Sequence, residues 1–403
     1  MGEEIAGRDD GGRLSFEFSF NGRPVLAHSG DSIASALVRS GVHVFSRSMK
    51  FHRPRGLYCG ANRCYSCAMR VNGVPGVRTC ATSVESGMIV ETEGGVPSAR
   101  YDLLSVFDHV FRKQFDHQSR FISPVFMVPT YQRVVRRLAT SRRLPDKPRT
   151  YSHLEVMHAD VLIVGHGVSG KAACDRLRAL GVNPYVVDRH GTDVFTPSIA
   201  FGYYEDGRVG VLSETSGRLV RAKAVLFATG CVETGLDLVN GDLPGVLLPE
   251  AVAHLVERGV SPGKRVFIIG KSELSGQVTK DLESAGSKVV EWCENPAEVS
   301  RLTGRNKIQW VEVVRNGGRL ERVPCDSVVL LGPLVPYVNL AQQAGCELKS
   351  VDGLWFVATD HEGRTTIPSV FSCGSVTGLT SVQERTVSGT RSADSIARFL
   401  GVT

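Results

Sequence analysis

The chain has 403 residues, 42% of them hydrophobic and 22% charged, which suits two to four folded domains and excludes a disordered chain. A net charge of +6 permits a nucleic-acid partner, but the clearest basic run, residues 133–149, lacks the aromatic interleaving of a nucleic-acid module, so none is expected. No stretch approaches the roughly 18 uncharged apolar residues of a membrane helix, and the polar N-terminus carries no secretory signal. A cytoplasmic chain without a membrane span is therefore expected, with any peripheral membrane contact made through partners.

Residues 1–12 read as a polar tail. Residues 13–24 alternate polar and apolar, with Phe16, Phe18 and Phe20 on one face, which predicts a strand ending in an Asn21-Gly22 hairpin turn. A second short strand follows, and Gly30-Asp31-Ser32 opens a short amphipathic helix carrying Ile33, Ala36 and Leu37. Asn72-Gly73 is a further turn, and residues 87–92 read as a closing strand. Hairpin, helix and cysteine loop in this order predict a β-grasp ferredoxin-like domain over residues 13–95. Residues 96–157 read as a connector rich in Arg, aromatic residues and Pro, with helices over 101–115 and 131–141.

From residue 158 to 403 the pattern changes to alternating strands and helices. Residues 160–164 read as a short buried strand, 169–180 as a helix and 183–188 as a strand. A second βαβ pattern follows, with strands over 265–270 and 288–291 flanking a helix that ends at Ala285. Two such units predict a glutathione-reductase-type, Rossmann-like domain with two dinucleotide-binding lobes. The chain as a whole is thus expected to combine an α+β ferredoxin-like domain with an α/β domain.

The ten cysteines are unevenly spread, and four fall between residues 59 and 80. Cys59-x4-Cys64-x2-Cys67 followed by a distant Cys80 is the spacing of a plant-type [2Fe–2S] loop. The first three thiolates must wrap one compact cluster, and Gly56, Gly60, Ala61 and Ser66 supply small residues beside them. A structural zinc site commonly spaces its pairs C-x2-C, whereas the first gap here is four. Unrelated buried thiols are the remaining alternative. Cys174, Cys231, Cys293, Cys325, Cys346 and Cys373 form no C-x2-C or C-x4-C pair and read as buried apolar residues.

Gly165-x-Gly167-x-x-Gly170 follows a predicted strand and opens a predicted helix, the context that a dinucleotide diphosphate requires. Asp188, at the end of the next strand, stands where an acid binds the adenosine ribose. Thr229-Gly230 ends an apolar strand, as where the chain returns to the nucleotide, and Gly374-Ser375 is a third element. Ser375 occupies the position at which flavoproteins commonly carry Asp, which leaves FAD, NAD or ATP open for the same site. In the second lobe, Gly270 to Ser275 has a degenerate glycine pattern, and Glu273 would repel a diphosphate. No catalytic base, nucleophile or carboxylate clamp emerges, so no catalytic residue is assigned. His52, Arg53 and Arg55 are candidates to face a partner or cofactor, or form a solvated basic loop.

Residues 47–56, Arg-Ser-Met-Lys-Phe-His-Arg-Pro-Arg-Gly, resemble the R-S-x-K-[FY]-H-R-P-R-G segment of the α subunit of heterotetrameric sarcosine oxidase and of related amine and imino-acid dehydrogenases. Residues 126–129, 196–207 and 240–246 are similar to the same group, so the resemblance runs from residue 14 to the end. The α subunit of sarcosine oxidase has lost the cluster cysteines and carries a long C-terminal folate-binding region, whereas this chain keeps all four and stops at Thr403. It therefore more closely resembles subunits of dye-linked proline, hydroxyproline or opine dehydrogenases. That resemblance implies an electron-transferring α subunit of an FAD-dependent amine or imino-acid dehydrogenase complex. It implies a β subunit that carries its own FAD and the substrate site. It also implies a further FMN at the α/β interface and a quinone, ferredoxin or dye acceptor. The alternatives are a self-contained NAD(P)H-dependent flavin and iron–sulfur oxidoreductase, and a non-enzymatic redox scaffold.

Overall fold

Alternation of polar and apolar residues over LSFEFSF drives the first long strand of the computed structural model, Leu14–Phe20, with Phe18 turned into the core at 2% exposure. The structure describes residues 7–8, 14–48, 52–95, 98–103, 129, 145, 152–189, 197–213 and 216–402. Within the predicted tail, Gly7–Arg8 is a strand that pairs antiparallel with Leu14 and Ser15, while most of the tail, of the predicted connector with its two helices, and of the basic run lies outside these residues. Two units form, one from residues 1–148 and 233–333 and the other from 149–232 and 334–403.

In the first unit, Leu14–Phe20 pairs antiparallel with Arg23–His28 and parallel with Ile89–Glu91. Asn21 and Gly22 both take positive φ (50° and 76°), which matches the right-handed twist of the strands they join. Ile89–Glu91 continues through Ala68–Val71 to Val74–Arg78. The helix Ile33–Arg39 starts at Ser32, whose side chain accepts from the Ser35 N–H while Ser35 caps back, and it buries Ile33, Ala36 and Leu37. This is the predicted β-grasp arrangement.

The same unit holds a parallel sheet in the order Val246–Leu247, Ser327–Leu331, Arg265–Gly270 and Lys288–Cys293. Helices Pro249–Val256 and Ser275–Ser284 accompany it. One continuous core joins Phe18, Ile33, Leu37, Phe45 and Met69 of the β-grasp part to Leu247, Ala251, Leu255, Ile268 and Leu331 of this lobe. Burying such side chains stabilises by about 1.5–3 kcal/mol each, so the ferredoxin-like part and the second lobe fold as one body.

In the second unit, Ser152–Val164 and Ser216–Phe227 pair in parallel along most of their length, with Val164 opposite Phe227. They are 13 and 12 residues long, much longer than the predicted strand at 160–164 and the apolar strand, residues 224–227, that leads to Thr229-Gly230. Their first halves alternate polar and apolar residues along a half-exposed sheet, and only the last four or five residues form an apolar run. Val168–Ala179 and the C-terminal helix Val382–Phe399 enclose a core with Leu177, Leu226, Phe371 and Ile396. They approach so closely that a Cβ on Gly389 would lie 2.2 Å from the Ser169 carbonyl oxygen.

Candidate functional site: a four-thiol loop and two glycine loops

The cysteine loop is built by tight turns. Cys64 and Cys67 precede the strand Ala68–Val71, and the Asn72-Gly73 turn sends Val74–Arg78 back beside it. Cys80 thereby arrives next to Cys67, where the Thr79 hydroxyl donates to the Cys67 carbonyl at 2.7 Å. Two residues inside the loop take left-handed backbone, Gly60 at φ 64° and Asn62 at φ 58°. Gly60 is required twice over, since a Cβ there would sit 2.5 Å from the Cα of Ala251 in the helix Pro249–Val256.

The four thiols act on one another. Cys64 and Cys80 donate toward Cys59, and Cys80 also toward Cys67. These hydrogen bonds pull the Cys59 and Cys67 thiols down, Cys67 to about 7, and push those of Cys64 and Cys80 up. The backbone N–H groups of Ala61 and Cys64 lie 3.5 and 3.4 Å from the Cys59 sulfur, a setting that favours thiolate. Cys59, Cys67 and Cys80 are buried, and Cys64 is half-buried.

Charged residues that sequence analysis did not mark brace this loop. Arg63 pairs with Glu250 at 2.9 Å and lies 3.6 Å from Glu233. Glu233 accepts the Glu250 N–H at the start of the helix Pro249–Val256, and burial pushes its carboxyl up to about 7. Nothing near Glu233 in the sequence signals this role. Arg53 donates to Asn240 and Asp242 at 2.9 and 2.6 Å. Two of the segments that carry the family resemblance therefore meet here. His52, at φ 53°, is buried with its ring 2.8 Å from Asp102, while Arg47 donates to the His52 carbonyl and to Asn306.

In the second unit the structure gathers Gly165, Gly167, Gly170, Asp188, Thr229, Gly230, Gly374 and Ser375. A Cβ on Gly165 would meet the Ala228 carbonyl oxygen at 2.3 Å, and one on Gly170 the Gly165 carbonyl oxygen at 1.9 Å. Gly374 stands as close to Ser169, and Gly230 lies against Ser375. Thr229 donates its hydroxyl to the Tyr337 carbonyl at 2.8 Å. Asp188 accepts the His166 N–H at 2.6 Å, so the carboxylate sits beside the glycine loop. A Cβ on Gly167, in contrast, would meet nothing within 4 Å, and no side chain caps the helix Val168–Ala179 that begins there. Open space before an uncapped helix N-terminus fits a diphosphate.

The second lobe's loop closes on itself. Ser272 N–H reaches the Ser275 hydroxyl at 3.1 Å, that hydroxyl donates to the Ser272 carbonyl at 2.7 Å, and Leu274 N–H faces the Ser272 hydroxyl at 3.3 Å. Lys271 pairs with Glu294 at the end of the next strand, and Trp292 donates to the Gly270 carbonyl. Backbone donors that would hold a diphosphate are thus engaged by the loop's own side chains.

Residues 14–95 match the family model described as a 2Fe-2S iron-sulfur cluster binding domain. The chain is similar to sarcosine oxidase subunit alpha of Rhizobium meliloti (strain 1021), at 26% identity over 82% of this chain and 41% of that protein. It therefore spans about two fifths of that relative's length. Hydrogen cyanide synthase subunit HcnA of Pseudomonas aeruginosa is 33% identical over 22% of this chain and 82% of its own length. Among solved structures, L-proline dehydrogenase from P. horikoshii shares the fold, with a TM-score of 0.73 at 18% identity, covering 99% of this chain and 76% of that one.

Proposed function

Because the chain belongs to the family of sarcosine oxidase α subunits and related amine and imino-acid dehydrogenase subunits, with a 2Fe–2S domain at its start, we propose that it is the electron-transferring subunit of a flavin-dependent dehydrogenase complex. The substrate class is a secondary amine or imino acid, in the range of proline, hydroxyproline, sarcosine and opines. The observation that carries this reading is the set of four mutually hydrogen-bonded thiols inside the β-grasp part.

The four thiols form one linked set, Cys64 and Cys80 both reaching Cys59 and Cys80 also reaching Cys67, and together they would hold the cluster. Among the described residues no three His, Cys, Asp or Glu side chains converge on a single-ion position. A structural zinc would draw all four sulfurs to about 2.3 Å from one point, whereas a two-iron cluster spreads them over two. When bound, such a cluster supplies one-electron carriage. The chain's own residues hold it: Ala61 and Cys64 N–H groups face a ligand sulfur, Gly60 lets the loop rest on Ala251, and Arg63 ties the loop to Glu250.

Gly165, Gly167 and Gly170 with Asp188, Thr229, Gly230, Gly374 and Ser375 bind an adenine dinucleotide, FAD in the flavoprotein reading. The helix N-terminus at Gly167 takes the diphosphate, and Asp188 takes the ribose. The β subunit carries its own FAD and the substrate site, and a further FMN lies where the two subunits meet. Electrons leave to a quinone, a ferredoxin or a dye. The self-bonded loop at Ser272 and Ser275 favours this reading over a self-contained NAD(P)H oxidoreductase. No helix among the described residues is long and apolar enough to cross a membrane.

Co-expression tests the proposal. The isolated, folded chain is expected to show no amine-dependent dye reduction. Activity is expected on co-expression with a second flavoprotein subunit. Amine oxidation by the isolated chain would overturn the assignment.

A further inference from the structure

The cluster loop is closed on one side and open on another. Gly60 rests on Ala251, Arg63 binds Glu250, and Cys59, Cys67 and Cys80 are buried at 2%, 1% and 5% exposure. Cys64 is the half-buried thiol, and its neighbour Tyr65 is 58% exposed. Arg78 lies over the Tyr65 ring at 4.2 Å and donates to the Asn62 carbonyl and side-chain oxygens at 2.8 and 3.1 Å. None of these partners carries a negative charge, so they leave the guanidinium's charge unbalanced over Tyr65, the residue that follows Cys64.

The surrounding chain sharpens this asymmetry. Residues 32–84 contain eight Lys or Arg and not one Asp or Glu. The acids that approach this stretch come from outside it: Asp31 on Arg39, Asp102 on Arg47 and His52, Asp242 on Arg53, Glu233 and Glu250 on Arg63, and Glu93 on the Gly76 N–H. Arg78 is not among the residues they meet.

Building on the cluster assignment above, we propose that the Cys64–Tyr65–Arg78 edge is the electron exit, and that its partner is an electron-acceptor protein presenting an acidic face. Electron tunnelling weakens steeply with distance, so an acceptor must approach the ligand sulfur nearest the surface, which is Cys64. A positive charge at that edge attracts and orients an acidic partner and repels a basic one. The step balances as one electron leaving the reduced cluster for a one-electron acceptor, with no bond made or broken. Small neutral acceptors such as quinones need no such charge, and they define the competing outcome.

The test uses the full chain carrying its cluster, reduced anaerobically by one electron per chain and mixed in stopped flow with four oxidised probes. These are acidic plastocyanin, basic cytochrome c, cationic hexaammineruthenium and a neutral water-soluble benzoquinone. Bleaching and return of the cluster absorbance are the readout. The expected result is rapid oxidation by plastocyanin that slows as salt rises, with cytochrome c and hexaammineruthenium speeding up as salt rises. Arg78→Glu is expected to slow plastocyanin about 10-fold or more at low salt and abolish its salt dependence, while the benzoquinone rate stays within about 2-fold. Arg78→Lys is expected to keep most of the plastocyanin rate. Flat or rising salt dependence with plastocyanin, or an equal loss with benzoquinone in Arg78→Glu, overturns the exit and its partner but leaves the cluster standing. A chain that purifies folded without iron overturns both.

Discussion

Gly60 lets the cluster loop rest directly on Ala251 of the second lobe, and replacing it by Ala tests whether that contact holds the loop. The added methyl would lie 2.5 Å from the Ala251 Cα and 2.9 Å from its nitrogen, distances at which backbone must move. It would also place a Cβ at φ 64°. The left-handed backbone costs roughly 1–2 kcal/mol and the forced repacking roughly 1–3, so about 2–5 kcal/mol in all. Gly76→Ala is the control, because Gly76 has a similar φ of 71° but nothing within 4 Å of the built Cβ. It should cost only the backbone part, about 1–2 kcal/mol. At roughly 2–4 °C per kcal/mol for a unit of this size, Gly60→Ala should lower the melting midpoint clearly more than Gly76→Ala. It should also lower iron content per chain, since the displaced segment carries Cys59 and Cys64. Equal midpoints and equal iron in the two variants would refute the packing argument.

Three further outcomes follow from the same geometry. Gly167→Val should leave the melting midpoint of nucleotide-free protein nearly unchanged, because its side chain enters open space. It should nonetheless abolish nucleotide retention, each charge-assisted phosphate hydrogen bond being worth about 1.5–3 kcal/mol. Extraction and chromatography of released nucleotide check this, and Gly170→Val, with a carbonyl 1.9 Å from its Cβ, should instead fail to fold. Cys64→Ser should bleach the visible absorption of the purified protein while leaving the far-ultraviolet circular dichroism in place. Glu233, raised to about 7 from an ordinary 4.5, holds its proton more tightly folded than unfolded. Its contribution to stability should therefore be fully present below about pH 4.5 and be lost as pH rises through 7, by about 3 kcal/mol at most. Glu233→Gln should flatten that slope in melting curves taken from pH 5 to 8.

What the sequence reveals here is what short-range geometry dictates. Three cysteines that must wrap one cluster have to lie within a few residues, and a turn such as Asn72-Gly73 announces itself in two letters. Glycines whose Cβ would run into a carbonyl oxygen, at 2.3 Å for Gly165 and 1.9 Å for Gly170, leave the same kind of mark. Pairings across long separations leave none. Arg53 meets Asp242 across 189 positions, and Arg63 meets Glu250 across 187. Both segments with Arg53 and Asp242 stand out by family resemblance, yet nothing in either says that they touch. The extent of the strands Ser152–Val164 and Ser216–Phe227 is hidden for another reason, since their amphipathic first halves look like loop beside the apolar runs that follow. In the second lobe, Glu273 is the feature that argues against a nucleotide from sequence, whereas Ser275 folding onto Ser272 is a feature only the structure displays.

Metal and sulfide analysis of the chain purified without oxygen tests the central claim most directly. The account predicts about two irons and two acid-labile sulfides per chain, with a paramagnetic signal that appears on one-electron reduction. Stoichiometric zinc with no iron and no labile sulfide, in a folded preparation, would contradict it.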